Sequence, residues 1–405
     1  MKKLLQAFLL VLIVSLSMVL TSCDNSNTLY ILNWDEYIDE ELIVEFEQEF
    51  NCNVVLDIAQ SNETMFSKIV SDSAPYDIAF PSDYMIGQML NCDDEEVDAP
   101  IIKKIDFTKL DNYDQMMFDE NLMSMIKKDC PELIDYCVPY FWGSLGIMYN
   151  TKNLNENQVN TIKEKGWNVL FEKELLGNVK VGMYASARDS IAAGLLYNGY
   201  SLNTKDDNEL QKAGDALFKM NYHAWATDDL KTGVAAERCV SKIITEMGVM
   251  EVTEEGIVVT ELHPDFTKED IQAATGCELI FSPDLKPYDV EDEEVEITFD
   301  MVAPDTNNVF FDAMVIPRNS MNEDLAYKFI NFMISEEKAL QNAQYVGYCP
   351  TIKSVCEEML AELDYIGEDA LDVYYPGDLS NGEIYKYLGT ETYSVYDSIY
   401  KKVKK

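Results

Sequence analysis

The stretch Leu29-Tyr30-Ile31-Leu32-Asn33-Trp34-Asp35-Glu36-Tyr37 decides the architecture. Leu29 to Leu32 is a short apolar run suited to a buried strand, and the polar cluster that follows ends it. Downstream, Leu42, Ile43, Phe46 and Phe50 share one face at a period of about 3.6 residues, which predicts a helix. Val54, Leu56 and Ile58 alternate as a second strand. Ser61 and Asn62 can cap a helix carrying Met65, Phe66, Ile69 and Val70, and Ile78 to Phe80 is a third strand candidate. Strands alternating with helices predict an α/β lobe with a largely parallel sheet, whose ligands sit beyond the carboxyl ends of the strands. Trp34 to Tyr37 and Ser82-Asp83-Tyr84 lie at two such ends.

Further along, Val138-Pro139-Tyr140-Phe141-Trp142-Gly143 reads as an extended connector, because proline keeps Val138 out of the helical region. A second α/β set follows, with Val179 to Met183 as strand, Ser186 to Tyr197 as helix and Glu278 to Phe281 as strand. Phe310 to Ile316 returns as a buried strand. Asn322 opens an amphipathic helix through Leu325, Phe329, Phe332 and Met333, with further helices expected to Lys405. With 405 residues, and single cores growing only to about 250 to 300, two lobes are expected, with two chain passages between them.

The chain carries 73 acidic against 31 basic residues, a net charge of -42, with 47% hydrophobic content. The apolar fraction is that of a globular protein, and the charge repels phosphate backbones, so nucleic acid is a poor candidate partner, no nucleic acid is expected, and a cation is a plausible partner. Lys2 and Lys3 precede the apolar run Leu4 to Leu20, which reads as a secretory signal rather than an uncleaved membrane anchor. Leu20-Thr21-Ser22-Cys23 resembles the bacterial lipobox. That resemblance implies cleavage after residue 22, a lipid on the Cys23 sulfur and a tether over residues 23–28. The other cysteines, at 52, 92, 130, 137, 239, 277, 349 and 356, permit disulfides without specifying a pairing. Two histidines, His223 and His263, give a metal site little material, so neither a metal nor a cofactor is expected.

Several candidate loop residues set an aromatic face beside a carboxylate: Trp34 with Asp35 and Glu36, Tyr84 with Asp83, Phe281 with Asp284, and Phe310 with Asp312. Such pairs suit an organic ammonium, which a ring attracts by its quadrupole and a carboxylate by a charge-assisted hydrogen bond. Phe310 and Asp312 are two apart, so on a strand they share a face while Phe311 points away.

The motifs Leu32-Asn33-Trp34-Asp35-Glu36-Tyr37, Ser61-Asn62-Glu63-Thr64-Met65, Tyr76-Asp77-Ile78, Pro81-Ser82-Asp83-Tyr84, Val138 to Gly143, Phe311 to Pro317 and Gly347-Tyr348-Cys349-Pro350-Thr351 occur in the order in which a known family has them. On them the chain resembles the bacterial spermidine/putrescine substrate-binding proteins of ABC transporters over most of residues 29–400. The resemblance is poorest between residues 203 and 278 and in the acidic inserts near Asp94 and Glu293. It implies a two-lobed type II periplasmic-binding-protein fold (Venus flytrap), each lobe a mixed sheet flanked by helices. The first lobe would take residues 29–139 and 309–345, the second 140–308, and C-terminal helices over 346–405 would pack across both.

The same resemblance implies ligand contacts from Trp34, Asp35, Glu36 and Tyr37, from Ser82 and Tyr84, from Asp189 at a helix start, and from Phe281, Asp284, Phe310, Asp312, Tyr348 and Tyr385. Ser186 stands where spermidine binders often carry Asp, a lost carboxylate for which Asp284 is placed to compensate. The expected function is capture of putrescine or spermidine by hinged closure near Pro139 to Trp142 and near Val309, without covalent chemistry. A monomer would deliver the ligand to ABC permease subunits outside the cytoplasm. The alternatives are another organic cation, such as thiamine or a choline-like compound, or an exported hydrolase, for which no nucleophile motif is present.

Overall fold

A computed structural model of the chain describes residues 27–71, 75–151, 153–220, 224–226, 242–245, 247–253, 256–264, 266–275, 279–287, 299–304, 306–364, 375 and 381–404. The expected lipidation site Cys23, with His223, Cys239 and Cys277, lies outside them. The chain divides into two compact units: one built from the residues up to Leu145 and from Asn307–Thr390, the other from Gly146–Thr306 and Glu391–Lys405. The chain passes between the units after Leu145, after Thr306 and after Thr390, the last passage carrying the final helix into the second unit, where two passages, at 139/140 and 308/309, are expected from the sequence.

In the first unit, strand Thr28–Asn33 pairs in parallel with Asn53–Ile58 on one side and with Ile78–Ala79 on the other. The helices between them follow from local chemistry. Asp39 caps Glu40–Phe50 by accepting from the Glu41 amide, and Asn51 closes it in the left-handed region at φ 48°. Ser61 caps Asn62–Val70 through the Thr64 amide, with Glu63 in the first turn and Lys68 in the last, both favourable to the helix dipole. Leu42 and Phe46 are fully buried, and Phe46 meets Phe329 edge to face at 5.1 Å between ring centroids.

A returning strand, Asn307–Met314, runs antiparallel to Val138–Ser144, with a register shift between Asp312 and Ala313. Its first residues pair in parallel with Gly382–Ile384. Its far end bridges to the parallel set through Ala79↔Val315 and Ser82↔Asp312. The sheet is therefore mixed, and an antiparallel strand reaches the carboxyl ends of the parallel ones. Phe311 is fully buried on the face opposite Phe310, as the two-residue period requires. Beneath the sheet, the buried carboxylate of Asp77 accepts from the Tyr30 amide at 3.0 Å, the Ser320 hydroxyl at 2.8 Å, and the Met321 and Asn322 amides at 2.9 and 2.8 Å.

The second unit holds a four-stranded sheet in which Leu279–Pro287 lies at one edge, parallel to Gly256–Leu262, which pairs antiparallel with Gly248–Thr253. The expected strand at 278–281 is thus longer, and the one at 179–183 is the shorter Gly182–Tyr184. Helix Ala187–Tyr197 is capped by the Ser186 hydroxyl, which accepts from the Asp189 amide, and packs closely on Asp207–Met220: a Cβ on Gly194 would come 2.8 Å from the Ala213 carbonyl.

Candidate functional site

Asp312 is the centre of the first unit's polar cluster. It is 7% exposed and accepts from the Tyr37 phenol at 2.6 Å on Oδ2 and from the Ser82 hydroxyl at 2.6 Å on Oδ1. Three elements supply these groups: the loop after Thr28–Asn33 gives Tyr37, the loop after Ile78–Ala79 gives Ser82, and the returning strand gives Asp312. Burial, then the negative charge of Asp312, pushes the Tyr37 phenol well above its usual range, so it stays a donor. Tyr140 is likewise raised, chiefly by burial, and donates to the Tyr37 carbonyl at 2.9 Å.

The Tyr37 ring, whose phenol meets this carboxylate, belongs to an aromatic set. Tyr348 meets Tyr37 edge to face at 5.5 Å and Phe310 at 6.5 Å, and its side is open, at 46% exposure. Phe310 lies across Gly143 on the neighbouring strand, where a Cβ would come 2.9 Å from the ring. Only glycine leaves that space. Trp34 is anchored by its indole N–H to the Phe80 carbonyl at 2.7 Å. The adjoining Asp35 and Glu36 are exposed, and Glu36 takes φ 50°, a left-handed conformation that costs a non-glycine residue about 1 kcal/mol or more. Tyr84 packs edge to face against the buried Tyr385 at 6.3 Å and donates to Glu63 at 3.2 Å. Its sequence neighbour Asp83 is fully buried, and Glu63 accepts from that phenol.

The first unit thus joins Tyr37, Ser82, Phe310, Asp312 and Tyr348 in one set of contacts and Tyr84 with Tyr385 in another. From the sequence, Asn62 reads only as a helix-cap residue and Glu63 carries no role. The usable signal was their position just past the carboxyl end of Asn53–Ile58, where the Asn62 amide meets Ser82 across only 20 positions.

In the second unit, Asp189 sits in the first turn of its helix; burial and its negative charge push the Tyr400 phenol up to about 12. Phe281 packs against the cluster of Met250, Val259, Ile271 and Leu279, and the Lys268 ammonium lies 5.0 Å from its ring centroid. Asp284 is exposed in the bulged part of the edge strand, between the paired residues Phe281 and Lys286. Among the described residues, no group of three or more His, Cys, Asp or Glu is placed to hold a metal ion, and no helix is long and apolar enough to cross a membrane.

Residues 41–362 match the family model of bacterial extracellular solute-binding proteins. The chain belongs to that family. Among curated members of similar sequence, the spermidine/putrescine-binding periplasmic protein of Escherichia coli (strain K12) is 26% identical over 397 residues, covering 96% of this chain and 95% of that protein. A solved structure described as a putative spermidine/putrescine ABC transporter from Listeria monocytogenes superposes with TM-score 0.63 at 30% identity, over 94% of this chain and 99% of that one. The spermidine/putrescine ABC transporter substrate-binding protein of Streptococcus pneumoniae gives TM-score 0.60 at 26% identity, over 94% and 100%. The solute-binding family carries the two-domain α/β architecture, and its description is one of binding rather than catalysis.

Proposed function

We propose that this solute-binding protein captures a linear polyamine, putrescine or spermidine, outside the cytoplasm and passes it to the permease of an ABC transporter. The observation that supports this best is the Asp312 carboxylate, held by the Tyr37 and Ser82 hydroxyls, with the Tyr37 ring packed on Tyr348 and Tyr348 on Phe310. An ammonium hydrogen-bonds to such an oxygen and the neighbouring methylenes lie on the rings. A buried carboxylate is tolerable only when hydrogen-bonded or paired, and this one has donors already and attracts a cation rather than an anion. The names of the E. coli and L. monocytogenes relatives support the same ligand class. Asp189, Phe281 and Asp284 are carried as further contacts, and lipid on Cys23 as the membrane attachment. Calorimetry with putrescine, spermidine and spermine tests the reading: saturable binding of at least one is expected, and absence of heat and of thermal stabilisation with all three contradicts it.

A further inference from the structure

Beyond the ligand contacts, the hydrogen-bond directions around Asp312 are fixed, and an amide side chain fixes them. The Ser82 backbone N–H can only donate, and it points at Asn62 Oδ1 at 3.0 Å. That contact sets the Asn62 amide the other way round at its far end, so Nδ2 donates to Ser82 Oγ at 3.0 Å. Ser82 Oγ, already accepting, sends its single proton to Asp312 Oδ1 at 2.6 Å. A second amide holds the neighbouring backbone. The Asp39 N–H donates to Asn342 Oδ1 at 3.0 Å, Asn342 Nδ2 donates to the Tyr140 hydroxyl at 2.6 Å, and Tyr140 donates to the Tyr37 backbone carbonyl at 2.9 Å. The Tyr37 phenol, a separate group, donates to Asp312 Oδ2.

We propose that Asn62 is a positioning residue for ligand capture, whose amide commits the Ser82 hydroxyl proton to Asp312 and so keeps that carboxylate an anion that only accepts. Asn62 acts through Ser82. The consequence for specificity is that Asp312 favours a cation bearing N–H groups, since its own neighbours already present donors and the carboxylate has none to offer. Among the described residues, phenols are placed against Asp312: Tyr37 from the loop after the first strand and Tyr140 from Val138–Ser144, with Tyr348 against Tyr37.

The test is a double-mutant cycle on the full chain with Asn62→Asp and Ser82→Ala, read in two ways. The first is the titration midpoint of the Asp312 carboxyl in ligand-free protein, followed by carbon NMR and assigned by its loss in Asp312→Asn. The second is calorimetric affinity for putrescine and spermidine, and only this second readout rests on the polyamine reading. Asn62→Asp replaces a donor by an acceptor that competes for the Ser82 proton. Its added charge acts in both backgrounds, so the difference between backgrounds isolates the hydroxyl. The midpoint is expected to rise by about half a pH unit more when Ser82 is present than in Ser82→Ala. Affinity should fall roughly tenfold or more with Ser82 and by a clearly smaller factor without it. Asn62→Ala, which adds no charge, gives a smaller rise of the same sign, again dependent on Ser82. Equal shifts in the two backgrounds would overturn the proposal. If wild-type protein binds neither amine, the functional reading fails while the titration still decides the role of Asn62.

Discussion

The two units handle their acids in opposite ways. In the first, Asp77 and Asp312 are buried and each carboxylate is surrounded by oriented donors; in the second, Asp284 is exposed on an edge strand and Asp189 is half-buried at a helix start. The aromatic partners differ likewise. Phe310 lies in contact with the half-open Tyr348 ring, whereas Phe281 already has the Lys268 ammonium over its face. A preorganised carboxylate costs little further ordering when a cation arrives, so the first unit is expected to supply the orientation of the bound amine. The second unit's acids are less buried, and attraction to solvated acids is screened by salt.

The largest effect expected from this contrast is on ligand chemistry. Fully N-methylated putrescine retains charge and length but lacks N–H donors, and should bind about a thousandfold or more weaker than putrescine, because sites built for hydrogen bonds reject analogues without them. Equal affinity in a competition assay would show that charge alone is read. Next is stability. Asp77→Ala strands four donors and should cost about 3 kcal/mol or more in a denaturant melt, against about 0.5 kcal/mol or less for Asp284→Ala. A similar cost at both positions would erase the distinction between the units. Gly143→Ala pushes a methyl into the Phe310 ring and should weaken polyamine binding by roughly tenfold while leaving the fold intact by circular dichroism.

The smallest expected effect is on pH dependence. Burial tends to raise the Asp57 carboxyl, but hydrogen bonds from Lys68 at 2.8 Å and from Tyr76 outweigh it and leave it below the ordinary range. A lowered folded value means stability that is present at neutral pH and lost as pH falls through that value. Asp57→Asn should therefore lower the melting temperature modestly at pH 7, and the gap from wild type should close as the pH drops below about 4. A gap that widens in acid would contradict the assigned sign.

Much of the first unit was legible because its signals are local. Apolar periodicity located the strands and helices, and strand ends located Trp34 to Tyr37 and Ser82. The two-residue spacing placed Phe310 and Asp312 on one face. What it could not give was the closure of Ser82 on Asp312, a contact between residues 230 positions apart that depends on an antiparallel strand entering a parallel set. Nor could it give the role of Asn62, which lies in hydrogen-bond directions rather than in residue type. In the second unit, Leu279 to Pro287 contains two prolines, and the chain there reads as leaving the strand after Phe281. The segment resumes pairing at Lys286 after residues 282–285 bulge out of the ladder, and a bulge at a sheet edge tolerates the missing N–H of Pro283. Asp284 was accordingly expected in a loop.

The most direct test is a calorimetric titration of putrescine and spermidine into wild-type protein and into Asp312→Asn, which keeps the shape of the side chain and removes its charge. One amine per chain should bind the wild type, and the substitution should weaken that binding by roughly a hundredfold, the loss of a charge-assisted hydrogen bond and its ion pairing in a buried setting. Unchanged affinity in Asp312→Asn would contradict the account.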